Sequence, residues 1–107
     1  MQIYKTPLKE FKFLIEDFLN LNESEVLKKQ ELETSDLMLI IEEAAKLCEE
    51  TLLPLNQSGD SEGCKFDNGS VTAPSGFREA YKLFAENGWQ GLKVKEEFGG
   101  QNLPYIM

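Results

Sequence analysis

The stretch from Leu37 to Leu55 constrains the fold more than any other part of the sequence. Leu37, Ile41, Ala44, Cys48, Leu52 and Leu55 recur at three- and four-residue spacing, and Ile40 and Leu47 widen the stripe. That is the pattern of a helix with one buried face. Glu42, Glu43, Lys46, Glu49 and Glu50 fall on the opposite side, with Lys46 bracketed by acids at helical neighbour spacing. Ser35 or Thr34 is the expected N-cap, and Asp36 is well placed against the positive end of the helix dipole. Pro54 is expected to end this helix near Leu53 or to kink it, because its ring removes a bond and clashes with the preceding turn. Fully burying five or six such side chains contributes on the order of 10 kcal/mol before chain entropy is counted. A 36–53 helix is therefore the expected centre of the domain.

The flanking segments read as shorter elements around it. A first helix is expected from Pro7, with Thr6 as N-cap and Leu8, Phe11, Leu14, Ile15, Phe18 and Leu19 on one face, to about Leu21. Asn22 followed by Glu25 resembles a capping box for a short helix to Lys29, whose Val26 and Leu27 are expected to add little to a core. Residues 56–76 read as loop, rich in turn formers, with a small hairpin over 65–72 around Asn68-Gly69 that should lean on the helices. A third long helix follows Pro74-Ser75-Gly76, with Phe77, Ala80, Tyr81 and Phe84 on one face and Asn87-Gly88 as its stop. Trp89 to Val94 reads as a turn or short extended piece, and Leu103-Pro104 as the first turn of another helix. The fold class expected is all-α: one small helical domain of three long helices plus short ones, with one minor β-hairpin.

A formal charge of −8 argues against a nucleic-acid or anionic-membrane surface, both of which need clustered Lys and Arg. The charge is local. The acids Glu31, Glu33, Asp36, Glu42, Glu43, Glu49, Glu50, Asp60 and Glu62 face Lys46 as the sole base of 31–63, while the flanking segments balance. A solvated helix face is the plain reading, and a docking surface for a basic partner the alternative. Histidine is absent, which removes the commonest general base and metal ligand. Cys48 reads as a small core hydrophobe and Cys64 as a loop residue; together they make neither a disulfide framework nor a zinc site. No signal peptide or membrane span is present, so a cytoplasmic location is expected.

Other motifs reduce to structure. Asp60-Ser61-Glu62-Gly63 misplaces the glycine of a calcium loop and has Val71 where a closing Glu belongs. The adjacent pairs Glu42-Glu43, Glu49-Glu50 and Glu96-Glu97 diverge instead of converging on one substrate atom. Phe98-Gly99-Gly100-Gln101 lacks the spacing of a phosphate or dinucleotide loop and reads as a tight turn. Phe11, Phe18, Phe77, Tyr81, Phe84 and Trp89 read as core.

Three stretches carry a resemblance. Gly88-Trp89, Gly91-Leu92 and then Glu97-Phe98-Gly99-Gly100-Gln101 with Leu103-Pro104 look like the end of the N-terminal helical domain of FAD-dependent acyl-CoA dehydrogenases. Glu49-Glu50 through Leu53-Pro54-Leu55-Asn56, then Gly59-Asp60 and Gly63-Cys64, resemble that domain's long helix and following loop. Tyr4 to Leu8, with Phe13-Leu14 behind it, is similar to the leader of a long-chain bacterial subgroup that includes 3-(methylthio)propanoyl-CoA dehydrogenases. The resemblance implies leader helices over 1–30 and the helical domain over 31–107, truncated at its C-terminal end.

In that family a carboxylate removes the α-proton of an acyl-CoA while FAD accepts the β-hydride, and an electron-transfer partner reoxidises the flavin. The resemblance places the base and most flavin contacts in later domains, so it carries over no catalytic, cofactor-binding, substrate-binding or metal residue to this chain. It implies FAD and acyl-CoA only for a parent enzyme, itself a homo-oligomer, with the remainder of that polypeptide as this segment's partner and no nucleic acid or membrane. The expected role is structural: packing on the next domain and helping wall off the acyl site. Alternatives are a stand-alone acidic interaction module, or the same domain of an acyl-CoA oxidase or a dehydrogenase-like DNA-damage protein.

Overall fold

The computed structural model describes residues 3–107. Three long helical runs dominate, as expected, joined by short turns and one hairpin. The first is helix α1 (Leu8–Lys12), which widens without a break into a π-helical turn over Phe13–Phe18. Its start differs from the expectation that Thr6 caps it. Pro7 sits at φ −78°, ψ 68°, an inverse γ-turn in which the Leu8 N–H donates to the Thr6 carbonyl at 2.8 Å. Asn20 in the left-handed region, φ 48°, ends the run slightly earlier than Leu21.

A short helix α2 (Glu25–Lys29) follows, capped by the Ser24 hydroxyl, which accepts from the Leu27 N–H at 3.2 Å. Asn22 is not its cap. The Asn22 Oδ1 instead accepts the Thr34 N–H at 2.9 Å and so caps the next helix. That helix, α3 (Thr34–Lys46), has Glu33 at its N-cap position, whose N–H donates to Asp36 Oδ2 at 2.8 Å.

Pro54 neither ends the central helix nor leaves residues 56–62 as loop. After Lys46 the chain passes through a π-helical turn, Leu47–Leu52, and continues directly into α4 (Leu53–Glu62), with Pro54 in the first turn. The wider turn makes room for the proline ring, and its missing N–H costs least at the start of a new helical segment. The turn formers of 56–62 are helical for specific reasons. Ser58 Oγ donates to the Pro54 carbonyl at 3.1 Å. Gly59 is buried because a Cβ there would come 2.5 Å from the Phe77 ring, so a close approach selects it.

Strands β1 (Lys65–Asp67) and β2 (Ser70–Thr72) pair antiparallel in the register Phe66↔Val71, around Asn68 at φ 48° and Gly69 at φ 80°. Both turn residues have positive φ, as a two-residue primed turn requires. The hairpin does not lean on the helices: every residue of both strands is exposed, Phe66 by 75%. Helix α5 (Phe77–Glu86) then runs to Asn87, with Gly88 left-handed at φ 78°, and its start is tied back when Glu62 accepts both the N–H and hydroxyl of Ser75 at 3.0 Å. Beyond Pro104 the chain makes a single turn, closed by the Met107 N–H on the Pro104 carbonyl at 3.0 Å.

The core is small. Ile15, Leu27, Leu37 and Met38 form its centre, with Leu21, Leu32, Ile41 and Met107 partly buried against it. Leu27, expected to matter little, is 1% exposed and joins α2 to α1 and α3, whereas its neighbour Val26 faces solvent. The aromatics do not form the core: Phe18 is 70% and Tyr81 73% exposed, Phe11 and Phe77 are exposed, and Phe84 and Trp89 are half-buried. The reason is shape. The Cα envelope measures 56 × 37 × 15 Å, which holds at most two helix layers at about 8–10 Å spacing, and the outer faces are uncovered.

Candidate functional site

Two features gather the residues of interest: a crossed pair of loops near the C-terminal end, and an apolar depression along the central helix. The first contains the motif residues of one of the three stretches, Gly88 to Pro104. The 3-10 turns Trp89–Gly91 and Glu96–Phe98 are stitched into one unit by backbone bonds. The Gln101 N–H donates to the Gly91 carbonyl at 2.9 Å, Leu103 to Leu92 at 2.8 Å, and Asn102 to Val94 at 2.8 Å. Gly100 lies so close to the Val94 carbonyl that a Cβ would overlap it, which explains the glycine sterically. Pro104 is buried, and Trp89, Leu92 and Leu103 are half-buried. Glu97 and Phe98 are exposed, and the Phe98 N–H donates to the Lys95 carbonyl at 3.0 Å. The unit is anchored to α2 because Gln30 Nε2 donates to the Asn102 carbonyl at 2.8 Å. Lys93 Nζ sits 4.2 Å from the centre of the Tyr105 ring.

This unit does not fit the pyrophosphate of a flavin dinucleotide. Such a group needs outward-facing N–H donors, and the Gly99, Gly100, Gln101 and Asn102 N–H groups are all consumed by carbonyls within the unit. Among the described residues no three His, Cys, Asp or Glu side chains are grouped as metal ligands. Cys64 is free and exposed, while Cys48 is half-buried at the depression and not in the core.

The depression consists of two grooves. One, of about 780 Å³, lies between the central helix and α5, with Leu52, Leu55, Phe77 and Tyr81 in its walls. The other, of about 410 Å³, lies between α3 and α1, with Phe11, Leu14, Ile41 and Ala44 in its walls. The apolar stripe read from the sequence therefore lines open grooves along most of its length, and Leu37 alone of its six residues is fully buried.

Charges stay at the margins, and one of them departs from expectation. Glu42, Glu43 and Glu50 are exposed, as a solvated face requires, and Lys46 Nζ meets Glu43 Oε1 at 2.6 Å. That contact holds the Lys46 ammonium above its usual pKa. Glu49 instead accepts the Thr6 N–H at 2.7 Å and Lys5 Nζ at 3.1 Å. The Thr6 backbone bond, then Lys5, holds its carboxyl below the usual carboxylate range. The Ser75 backbone N–H and hydroxyl do the same for Glu62. Nothing in the sequence marks the Glu49 contact, because its partners lie 43 and 44 positions away.

No family model matches the sequence. Among curated proteins, the 3-methylmercaptopropionyl-CoA dehydrogenase of Ruegeria pomeroyi is 35% identical over 105 residues, 97% of this chain. The chain spans 18% of that relative's length. Identity at that level, sustained from end to end of the chain, makes it homologous to an N-terminal region of an acyl-CoA dehydrogenase.

Proposed function

We propose that this chain acts as the N-terminal helical domain of an FAD-dependent acyl-CoA dehydrogenase, supplying no reacting group and packing its apolar surface against the rest of the enzyme. The observation that carries the reading is the amount of surface left open. A compact monomer of 12.2 kDa exposes about 6,100 Å². This chain exposes 8282 Å². The surplus, about 2,200 Å² on one side, belongs to the size range of permanent interfaces, not transient ones. Its radius of gyration, 17.6 Å, likewise exceeds the roughly 13 Å of a self-sufficient globule of this length. Large side chains such as Phe13, Phe18, Leu39 and Tyr81 stand in solvent at 54%, 70%, 62% and 73% exposure. Covered by later domains, they would exclude water from the acyl site, which strengthens the electrostatics of proton and hydride transfer there.

The substrate class follows the relative: an acyl-CoA thioester, with a short thioether acid as the first candidate. The 88–104 unit, rigid through its own backbone bonds, is the natural hand-over to the next domain. The acidic-module alternative loses ground because Glu49 is committed to the leader and Glu43 to Lys46.

A chimera tests the proposal. The 105 matching residues of the Ruegeria pomeroyi dehydrogenase are replaced by those of this chain, and flavin content and turnover of 3-methylmercaptopropionyl-CoA are measured. A yellow, active chimera is expected. A soluble, folded but flavin-free and inactive chimera refutes the domain assignment, as does stoichiometric flavin bound by the 107-residue chain alone.

A further inference from the structure

The apolar depression is interrupted at one place. Tyr4 and Cys48 are the residues that the two grooves have in common, so the chain at Tyr4 crosses the depression where one groove meets the other. Tyr4 is 46% exposed, half inserted, while Ile3 beside it is 90% exposed. Residues 3–7 belong to no helix or strand. What holds them to the helix body converges on one side chain: Glu49 takes the Thr6 N–H on one oxygen and the Lys5 ammonium on the other. The Pro7 turn then redirects the chain into α1.

We infer that residues 3–6 form a strap latched by Glu49, which divides one long apolar trough into two grooves and opens it when the latch lets go. The fastening suits reversible use. The Lys5 side chain is 85% exposed, so its ion pair contributes little, and the shorter contact, Thr6 to Glu49 at 2.7 Å, is the stronger part. With the strap lifted, the wall running from Phe11 and Leu14 through Cys48 to Phe77 and Tyr81 is one continuous apolar surface.

The test uses the 107-residue chain, with trypsin cleavage at Lys5-Thr6 reporting the strap, cleavage at Lys82 within α5 reporting global unfolding, and the neutral dye Nile red reporting the open trough. In Glu49→Ala, cleavage at Lys5 rises about fivefold relative to Lys82, the loss expected for one charge-assisted bond and an exposed ion pair, and dye emission rises with it. Tyr4→Ala, with the latch intact, raises dye emission and leaves the cleavage ratio unchanged. Glu42→Ala, on the outer face, changes neither. Unchanged Lys5 cleavage in Glu49→Ala overturns the latch, and so does an equal rise at Lys5 and Lys82. Dye emission unchanged in both Glu49→Ala and Tyr4→Ala overturns the covered trough. None of these results depends on whether the chimera is active.

Discussion

Leu27→Ala should be among the most damaging single substitutions in this chain, although it falls in a helix of only five residues. Leu27 is 1% exposed and packs in the cluster of Ile15, Leu37 and Met38, where α1, α2 and α3 meet. Truncation loses the transfer free energy of the removed atoms and leaves a void that three separate elements must collapse to fill. For a fully buried leucine that sum is about 3 kcal/mol. The total stability of a domain this size is only about 5–15 kcal/mol, so the loss is a large share of it. With a urea slope near 1.5 kcal/mol/M, the unfolding midpoint should fall by about 2 M when followed by helical circular dichroism. Val26→Ala is the matched control: one position away, on the same helix, with its side chain 55% exposed, it should change stability by less than about 0.5 kcal/mol. A chain unfolded throughout by Leu27→Ala beside a folded Val26→Ala is the extreme form of the expected result. Equal effects of the two substitutions, or a Leu27→Ala cost below about 1 kcal/mol, would show that the core is not where these contacts put it.

Further expectations concern the loops and the charges. Gly100→Ala should loosen the 88–104 unit, because the new methyl meets the Val94 backbone; faster amide exchange at Gln101, Asn102 and Leu103 is the readout, and unchanged exchange refutes it. Gly99→Ala meets no neighbouring atom but must hold φ 86°, so its cost is strain alone, about 1–2 kcal/mol in thermal or urea unfolding. Phe66→Ala in the free-standing hairpin should move stability by less than about 0.5 kcal/mol, and a larger loss would mean that the hairpin packs on the body. Glu49 and Glu62 have lowered folded-state pKa values, so their stabilisation is complete above the ordinary carboxylate pKa and disappears as pH falls through the lowered values. Acid titration followed by carboxyl NMR should show both titrating below the usual range, with Ser75→Ala returning Glu62 part of the way. Lys46 runs the other way: its contribution is complete below the ordinary lysine pKa and is lost as pH rises through the raised one, an effect that Glu43→Ala should reduce, Glu50 and Glu42 sustaining the rest.

Features written in neighbouring residues were legible in the sequence, and features made by distant ones were not. The Asn68-Gly69 turn and the Asn87-Gly88 stop appear where they were expected, because left-handed backbone is a local demand that few residues meet. The three helical runs followed from periodicity. Leu27 carries no local sign of its burial, which is supplied by Ile15, Leu37 and Met38, none of them on its own helix. Gly59 reads as a turn former in isolation, and only the Phe77 ring lying against it explains why it sits inside a helix. Asn22 presents a plausible local box with Glu25, yet its oxygen serves Thr34, a partner twelve positions on. The same division holds at the candidate site. The two halves of the 88–104 motif were visible as a cluster, whereas the Thr6–Glu49 bond joins residues with no shared pattern. The aromatics stand exposed despite their helical spacing, because amphipathic spacing reports which face is apolar, not what covers it.

The π-helical turn at Leu47–Leu52 sets the phase of everything beyond it. Such a turn holds one residue more than an α-helical one, and one residue corresponds to about 100° of rotation about the axis. Up to Cys48 the apolar stripe faces α1; from Leu52 onward it faces α5. A single helical run thus serves two neighbours in succession without breaking. Its sequence length is consequently a geometric setting: removing one residue from 47–52 would restore regular winding, turn Leu55 and Gly59 away from Phe77, and offer α5 a polar wall in their place.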